Sequence, residues 1–115
     1  MEENKNIIVE LSFKFALNII SFSENLEQSR KFIIANQILR SGTSIGANIR
    51  EAQNCESRLD FIHKLKIAAK EAEETEYWLE LCKHSDNYPI NNQLLEDIIV
   101  IKKILNKIIK TSKMR

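Results

Sequence analysis

The chain has almost none of the residues that interrupt helices, with two glycines and one proline among 115 residues. It also lacks long apolar runs: the longest is four residues, far short of the ~20 that a membrane-spanning helix needs. Two cysteines, Cys55 and Cys82, are too few for a disulfide framework. No N-terminal stretch has the basic start, apolar centre and cleavage site of a secretory signal. These absences exclude disulfide-stapled and membrane-spanning classes, and we expect a cytoplasmic protein.

Neither sign of charge dominates the composition. The 17 Lys and Arg residues stand against 16 Asp and Glu residues, which leaves a formal net charge of +1. This balance argues against a protein that binds nucleic acid through its overall charge. At this length, one domain spanning residues 1–115 can bury a core without disulfides or metal ions.

What the chain does contain favours helix. Ile, Leu, Glu and Lys are abundant, and apolar residues recur every three or four positions along most of the sequence. In the first segment this apolar face consists of Ile8, Phe15, Ile19, Phe22 and Leu26. The third segment begins with a capping-box pattern, with Ser57 at the N-cap and Asp60 three positions later. The periodicity predicts helices over residues 4–27, 30–54, 58–84 and 91–111.

The stretch SGTSIGAN, residues 41–48, places both glycines inside the second predicted helix. Gly42 falls on the apolar seam and Gly46 lies one turn later. Each costs about 1 kcal/mol relative to alanine in a helix interior, so we infer that they permit close packing against a neighbouring backbone or large side chain. A loop at residues 41–44 that divides this segment into two short helices is the alternative.

Four helices with short connections predict an all-α fold, an antiparallel up-down-up-down four-helix bundle. The fourth helix carries Ile99, Ile104 and Ile109 outside its main seam, which makes it apolar on more than one face. We expect the excess apolar surface to be buried against another copy in a homo-oligomer.

Residues Gln37–Cys82, QILRSGTSIGANIREAQNCESRLDFIHKLKIAAKEAEETEYWLELC, resemble the four-helix bundle protein family, also called the intervening-sequence protein of 23S ribosomal RNA genes. The segment ILNKIIKTSK near the C-terminus resembles that family's last helix. The resemblance implies a bacterial, cytosolic bundle that commonly assembles as a pentamer and whose biochemical role is largely unassigned. A related group, the accessory variability proteins of diversity-generating retroelements, is strongly basic and binds nucleic acid and a reverse transcriptase.

The residue types that bind metals are few and poorly spaced. Cys82 and His84 are two positions apart and point to different sides of a helix, while Cys55 and Cys82 lie at opposite ends of the third helix. A di-iron bundle needs two Glu-x-x-His pairs and two more Glu, whereas the sequence offers only Asp60-x-x-His63, and Asp60 is already assigned to the helix cap. No phosphate-binding loop, nucleophile elbow or catalytic carboxylate pair appears either. We predict no metal, no cofactor and no enzymatic activity, and interpret the stripe Glu73, Glu76, Glu80 as a solvated or ion-paired face.

A set of polar residues on the second and third helices is close enough along the predicted bundle to interact. Its members are Arg40, Asn48 and Glu51 on the second helix and Lys64, Glu71 and Glu74 on the third. Charges that face a bundle must be paired, because a lone buried ion costs several kcal/mol. A structural network that fixes the helix register is one interpretation, and a ligand-binding site is the other.

Because successive helices run in opposite directions, the predicted bundle has its acidic and basic residues at opposite ends. Acidic residues predominate at the end that holds the first and third connections, and basic residues at the end that holds the second connection and both termini. The basic end contains Lys5, Arg50, Arg58, Lys64, Lys66, Lys107, Lys110, Lys113 and Arg115. We predict weak RNA or DNA contact through this end, by Arg50, Arg58, Lys64, Lys66, Lys107, Lys110 and Lys113. The alternatives are that basic ends pair with neighbours' acidic ends, and a structural protein-binding ring without nucleic acid.

Overall fold

The helical periodicity of the sequence produces four helices. A computed structural model describes the backbone of residues 2–115 and the side chains from residue 7 onward. The helices are α1 (Glu2–Gln28), α2 (Phe32–Ala52), α3 (Arg58–His84) and α4 (Asn92–Lys113). Their ends differ from the predicted ones by at most two residues. α3 and α4 begin at side-chain caps: the Ser57 hydroxyl accepts from the Asp60 amide at 3.1 Å, and Asn91 Oδ1 accepts from the Leu94 amide at 2.9 Å.

The helices form an antiparallel bundle. α1 packs on α2, α2 on α3, α3 on α4, and α4 returns to α1. The molecule measures 48 × 20 × 19 Å, as expected for four parallel rods of about 30–40 Å plus their connections. The predicted all-α up-down-up-down four-helix bundle is therefore confirmed. In the described part of the chain, no helix is both long and apolar enough to cross a bilayer.

The connection between α1 and α2 contains neither glycine nor proline, and the sequence left its position uncertain. Arg30 has a left-handed backbone with φ of 64°. Its amide donates to the Glu27 carbonyl and the Lys31 amide donates to the Leu26 carbonyl, both at 2.8 Å. This is the hydrogen-bond pattern of a Schellman motif, with arginine at the position where glycine is usual. The motif ends α1 and reverses the chain.

α2 is helical throughout residues 41–48, so the alternative of a loop at 41–44 is wrong. Gly42 is buried against the side chain of Ile19 in α1. A Cβ atom at Gly46 would lie 3.2 Å from the backbone oxygen of Ser12. Both glycines therefore lie where α2 and α1 approach closely.

All four helices contribute a buried seam to the core, and the seam predicted for α1 is buried throughout: Ile8, Phe15, Ile19, Phe22 and Leu26. The fully buried large side chains of the core are Ile8, Phe15, Ile19, Leu26, Ile38, Ile45, Ile49, Leu65, Leu94, Ile98, Ile101 and Leu105. The surplus apolar residues of α4 are distributed differently from the prediction. Ile109 is buried and Ile104 is half-buried within the protomer, which leaves only Ile99 of the three exposed. Burial within a single chain thus accounts for most of the surface that was assigned to a second copy.

One strip of exposed apolar side chains lies on the outer side of α1. Phe13, Leu17 and Ile20 are 50%, 50% and 41% exposed, although they occur in the same helix as the core seam. Between α1 and α2 a groove of about 270 Å³ is lined by Phe13 and by the small residues Ala16, Gly46 and Ala47, among others. A contiguous apolar strip of this kind is typical of a surface that another molecule covers.

Candidate nucleic-acid interface

Two stretches of the chain carry positive charge without negative charge. After Asp97, the rest of the sequence contains five lysines and Arg115 but no Asp or Glu. Residues 61–70 of α3 contain three lysines and His63, and also lack an acidic residue. Because α3 and α4 are antiparallel neighbours, the start of α3 lies beside the end of α4. The fold therefore brings the two basic stretches together.

The side chains of Lys66 and Lys113 show that these stretches meet. The pKa of Lys113 is lowered by its side-chain interaction with Lys66 and by the positive charge of that second amine. Two lysines held this close, without an acid between them, favour an anion that can contact both. We define the lysine surface as the exposed lysines of these two stretches that lack an ion pair with any described residue: Lys66, Lys70, Lys103, Lys107, Lys110 and Lys113.

Two of the predicted nucleic-acid-binding residues have partners within the protein. Lys64 Nζ lies 2.7 Å from Glu51 Oε1, and this hydrogen bond raises the pKa of Lys64. The guanidinium of Arg50 lies over the ring of Phe13, 5.4 Å from its centroid. We therefore leave Lys64 and Arg50 out of the lysine surface. Lys5 lies outside the residues whose side chains are described.

The remaining predicted arginine, Arg58, lies at the end of the bundle with Arg115. Both line a cleft of about 340 Å³ between the α2–α3 connection and the C-terminus. Phe61, Cys55 and Ser112 also contribute to its wall. The cleft brings Arg58 and Arg115 to the same end of the molecule as Lys113, and Glu56 is the acidic residue in its wall.

The predicted network between α2 and α3 exists in part. Arg40 pairs with Glu71, with an N–O distance of 3.4 Å, and also contacts Glu74. Glu74 Oε2 accepts a further hydrogen bond of 3.0 Å from Trp78 Nε1, and Gln37 Oε1 accepts from Arg40. Trp78 and Gln37 were missed, because the sequence does not show which neighbours an arginine will reach. Half of the Arg40 side chain is exposed, so this is a surface network.

Asn48 does not join this network, which corrects the prediction. Its amide Nδ2 donates to the carbonyl of Ser44 at 2.9 Å and to the Ser44 hydroxyl at 3.1 Å. Because Ser44 is one turn earlier in the same helix, Asn48 is satisfied without a partner on α3. Glu51 and Lys64 form a separate ion pair, which lies at the C-terminal end of α2.

A second network links α3 to α4. Lys102 Nζ lies 2.7 Å from Glu73 Oε1 and 2.5 Å from Glu76 Oε1. These two hydrogen bonds raise the pKa of Lys102. Glu80 pairs with His84 at 3.4 Å. The stripe Glu73, Glu76, Glu80 is thus ion-paired. The sequence did not predict that Lys102 is the partner of Glu73 and Glu76.

The cysteines and histidines are dispersed in the structure. Among the described residues, no three of the His, Cys, Asp and Glu side chains are close enough to hold a metal ion. Cys82 is buried in the core, and this burial raises the pKa of its thiol to about 11. Cys55 is half-buried, and its thiol lies 3.8 Å from the Glu51 carbonyl.

Comparison with known proteins places the chain in a defined group. Residues 4–107 match the family model described as 23S rRNA-intervening sequence protein. A solved structure from Bacteroides thetaiotaomicron VPI-5482, a protein of unknown function from the S23 ribosomal protein family, is 48% identical. It superimposes with a TM-score of 0.87, and the match covers 93% of this chain and 98% of that one. No curated protein matches the chain.

Proposed function

Because the chain belongs to the 23S rRNA-intervening sequence protein family, we propose that it is a non-enzymatic, cytoplasmic accessory protein that contacts RNA or DNA. The contact is made through the lysine surface and is to phosphates rather than to bases. The protein acts as a homo-oligomer, for which the family resemblance suggests five copies. A protein-binding ring without nucleic acid is the alternative.

The observation that carries this proposal is the distribution of the unpaired lysines. Although the whole chain is nearly neutral, two adjacent helices carry exposed lysines that form no ion pair with a described acidic residue. Lysines that have no carboxylate partner keep their charge available for phosphate, and each contact releases a condensed counterion from the nucleic acid. The proximity of Lys66 and Lys113 supports this, because a bound phosphate would relieve their repulsion.

The proposed oligomer uses the apolar strip of α1. Phe13, Leu17 and Ile20 lie on the side of α1 that faces away from its own bundle. The neighbouring groove is lined by glycine and alanine, which allow a second helix to approach closely. This face is distinct from the lysines of α3 and α4, so assembly leaves the lysine surface exposed.

The nucleic-acid proposal is tested by charge reversal and salt titration. Anisotropy of a fluorescent single-stranded RNA is measured against salt concentration for the wild type and for Lys107→Glu/Lys110→Glu. We expect weaker binding by the variant and a shallower salt slope, by about 0.7 for each lost contact. The matched control is Lys14→Glu/Lys83→Glu, which makes the same change in net charge at lysines outside the surface.

Equal loss in both double variants would reduce the effect to overall charge and contradict the assignment. Unchanged binding by Lys107→Glu/Lys110→Glu would remove the lysine surface from the interaction. Assembly is measured separately by light scattering, where Leu17→Glu should lower the mass towards the 13.4 kDa of one chain. An assembled wild type that binds no RNA at low salt would favour the protein-only ring.

A further inference from the structure

The lysines of the lysine surface lie in two rows on adjacent helices. The row on α4 consists of Lys103, Lys107, Lys110 and Lys113, which follow one another every three or four residues. The row on α3 consists of Lys66 and Lys70, one turn apart. All of these side chains are exposed. The interaction between Lys66 and Lys113 places the two rows at the same level of the bundle.

The length of these rows sets the density of positive charge on the surface. The α4 row extends about 15 Å from Lys103 to Lys113, at the helical rise of 1.5 Å per residue, and the α3 row lies beside it within the same length. Over about 15 Å, one strand of a duplex carries about four or five phosphate charges, whereas both strands together carry about nine. One strand therefore brings fewer phosphates than this surface has lysines, and two strands bring more than enough.

The lysines have no aromatic rings beside them in the sequence. Proteins that bind single strands combine a basic groove with exposed rings on which the free bases stack. The sequence after Asp97 contains no Phe, Tyr or Trp, and neither do residues 62–70 of α3. The next aromatic residue on α3 is Tyr77, which is 58% exposed. Glu73 and Glu80 lie one turn before and after it, so a base stacked on Tyr77 would bring its phosphate close to carboxylates.

We propose that the lysine surface binds double-stranded nucleic acid in preference to single strands, through the phosphates of both strands and without reading the base sequence. This inference rests on the proposed function, because it specifies which form of nucleic acid the same surface contacts. The α4 row contacts one strand, and the α3 row contacts the other strand across a groove.

The dimensions and the charge density of a duplex both favour this arrangement. Packed helices have axes about 8–10 Å apart, and the grooves of a DNA duplex are about 6 and 12 Å wide. Flexible lysine side chains on two neighbouring helices can therefore reach phosphates on both sides of a groove. Because the duplex has more condensed counterions, each lysine contact releases about 0.9 of a counterion, compared with about 0.7 for a single strand. RNA and DNA duplexes share this chemistry, so both should bind.

The proposal is tested by fluorescence anisotropy with a duplex RNA of about 16 base pairs, a duplex DNA of the same sequence, and the separate single strands. At low salt we expect both duplexes to bind about tenfold more tightly than the single strands, with a steeper dependence on salt. A second, unrelated sequence should give the same affinities.

The α3 row is tested by Lys66→Gln/Lys70→Gln, which should abolish the preference for the duplex and weaken single-strand binding much less. The matched control is Lys14→Gln/Lys83→Gln, which removes the same charge outside the lysine surface and should keep the preference. All four lysines are exposed, and circular dichroism verifies that the variants retain their helices.

The possible failures of this inference and of the proposed function give different results. Single strands that bind as tightly as duplexes, with Lys107→Glu/Lys110→Glu still weakening the binding, would overturn the duplex assignment and leave the proposed function intact. No binding of any of these nucleic acids at low salt would contradict both. A duplex preference that survives Lys66→Gln/Lys70→Gln, or that the control also loses, would contradict the arrangement in two rows. Binding of only one type of duplex, or of only one sequence, would indicate contacts to sugars or bases and would also overturn the proposal.

Discussion

Gly42 of α2 lies directly against Ile19 of α1, so closely that a Cβ atom at position 42 would be 2.8 Å from both Cγ1 and Cγ2 of Ile19. Ile19 is fully buried, and these two atoms are fixed by its branched side chain. The glycine therefore sets the distance between the two helices. Its helix-propensity cost is offset by the packing that this distance allows.

We predict that Gly42→Ala destabilises the protein by about 1–3 kcal/mol, the usual cost of overpacking a core. The added methyl group would also stabilise the helix by about 1 kcal/mol through its higher helix propensity. The sign of the change in the free energy of unfolding therefore shows which of the two effects is larger. The free energy of unfolding is measured by urea denaturation. Gly46→Ala should cost less, because its Cβ would lie 3.2 Å from the Ser12 backbone oxygen and no closer to any other atom.

The assignment to Ile19 is checked by a double-mutant cycle. Ile19→Ala alone should cost about 2–5 kcal/mol. In that background Gly42→Ala should be neutral or stabilising, because the conflicting methyl and methylene groups are gone. If Gly42→Ala costs the same with and without Ile19, the clash is elsewhere and this account of the glycine is wrong.

The seams of the fold could be predicted from the sequence because burial in a bundle repeats every three to four residues. The same periodicity placed Gly42 on the seam, but it could not identify Ile19 as the contact. That contact depends on the axial offset between two helices, which the turn at Arg30 determines. The burial of Ile109 was also missed, since its depth depends on how α3 and α4 are rotated against each other.

The candidate site was less predictable than the fold. The sequence placed Lys64 both in the nucleic-acid-binding set and in the network with Glu51, and the structure pairs it with Glu51. The contact of Arg50 with the Phe13 ring was not predicted. Long side chains reach several neighbours, so pairing depends on tertiary geometry rather than on spacing. The exposure of Phe32 and Ile33 was also not predictable from the periodicity, because both fit the apolar pattern of a helix.

Two buried serines should respond in opposite directions to removal of their hydroxyls. Ser41 Oγ donates to the Gln37 carbonyl at 3.0 Å and accepts from Thr75 Oγ1 at 2.9 Å. Ser23 Oγ is buried, and no atom of the described residues pairs with it. We expect Ser41→Ala to destabilise by about 0.5–1.5 kcal/mol, and Ser23→Ala to be neutral or stabilising by up to about 1 kcal/mol. Urea denaturation of both variants measures the difference, and equal losses would contradict it.

Arg30→Gly should stabilise the folded chain relative to Arg30→Ala. Both substitutions remove the guanidinium and its contact with Phe32, but only glycine relieves the left-handed backbone. The steric cost of this conformation is about 1–2 kcal/mol, partly offset by the larger entropy of glycine in the unfolded chain. We expect a difference of about 1 kcal/mol in favour of glycine. The matched control is Asn87, whose φ is 66°: because asparagine tolerates this region, Asn87→Gly should change stability less.

Lys102 should make stability dependent on pH in the alkaline range. Its pKa in the folded state is raised above the ordinary 10.5 by hydrogen bonds to Glu73 and then to Glu76. A group with a raised pKa binds its proton more tightly when folded, so its contribution is complete below about pH 10.5 and is lost as the pH rises through the folded value. Lys102→Met removes the charge and retains most of the apolar stem.

The difference in the free energy of unfolding between wild type and Lys102→Met should therefore be constant at neutral pH and shrink above about pH 10.5. Lys103→Met is the control, because Lys103 is exposed and lies next to Lys102 without an ion pair among the described residues. Its difference from wild type should stay small at every pH. A Lys102→Met difference that grows with alkaline pH, or that Lys103→Met reproduces, would show that the network with Glu73 and Glu76 does not stabilise the contact between α3 and α4.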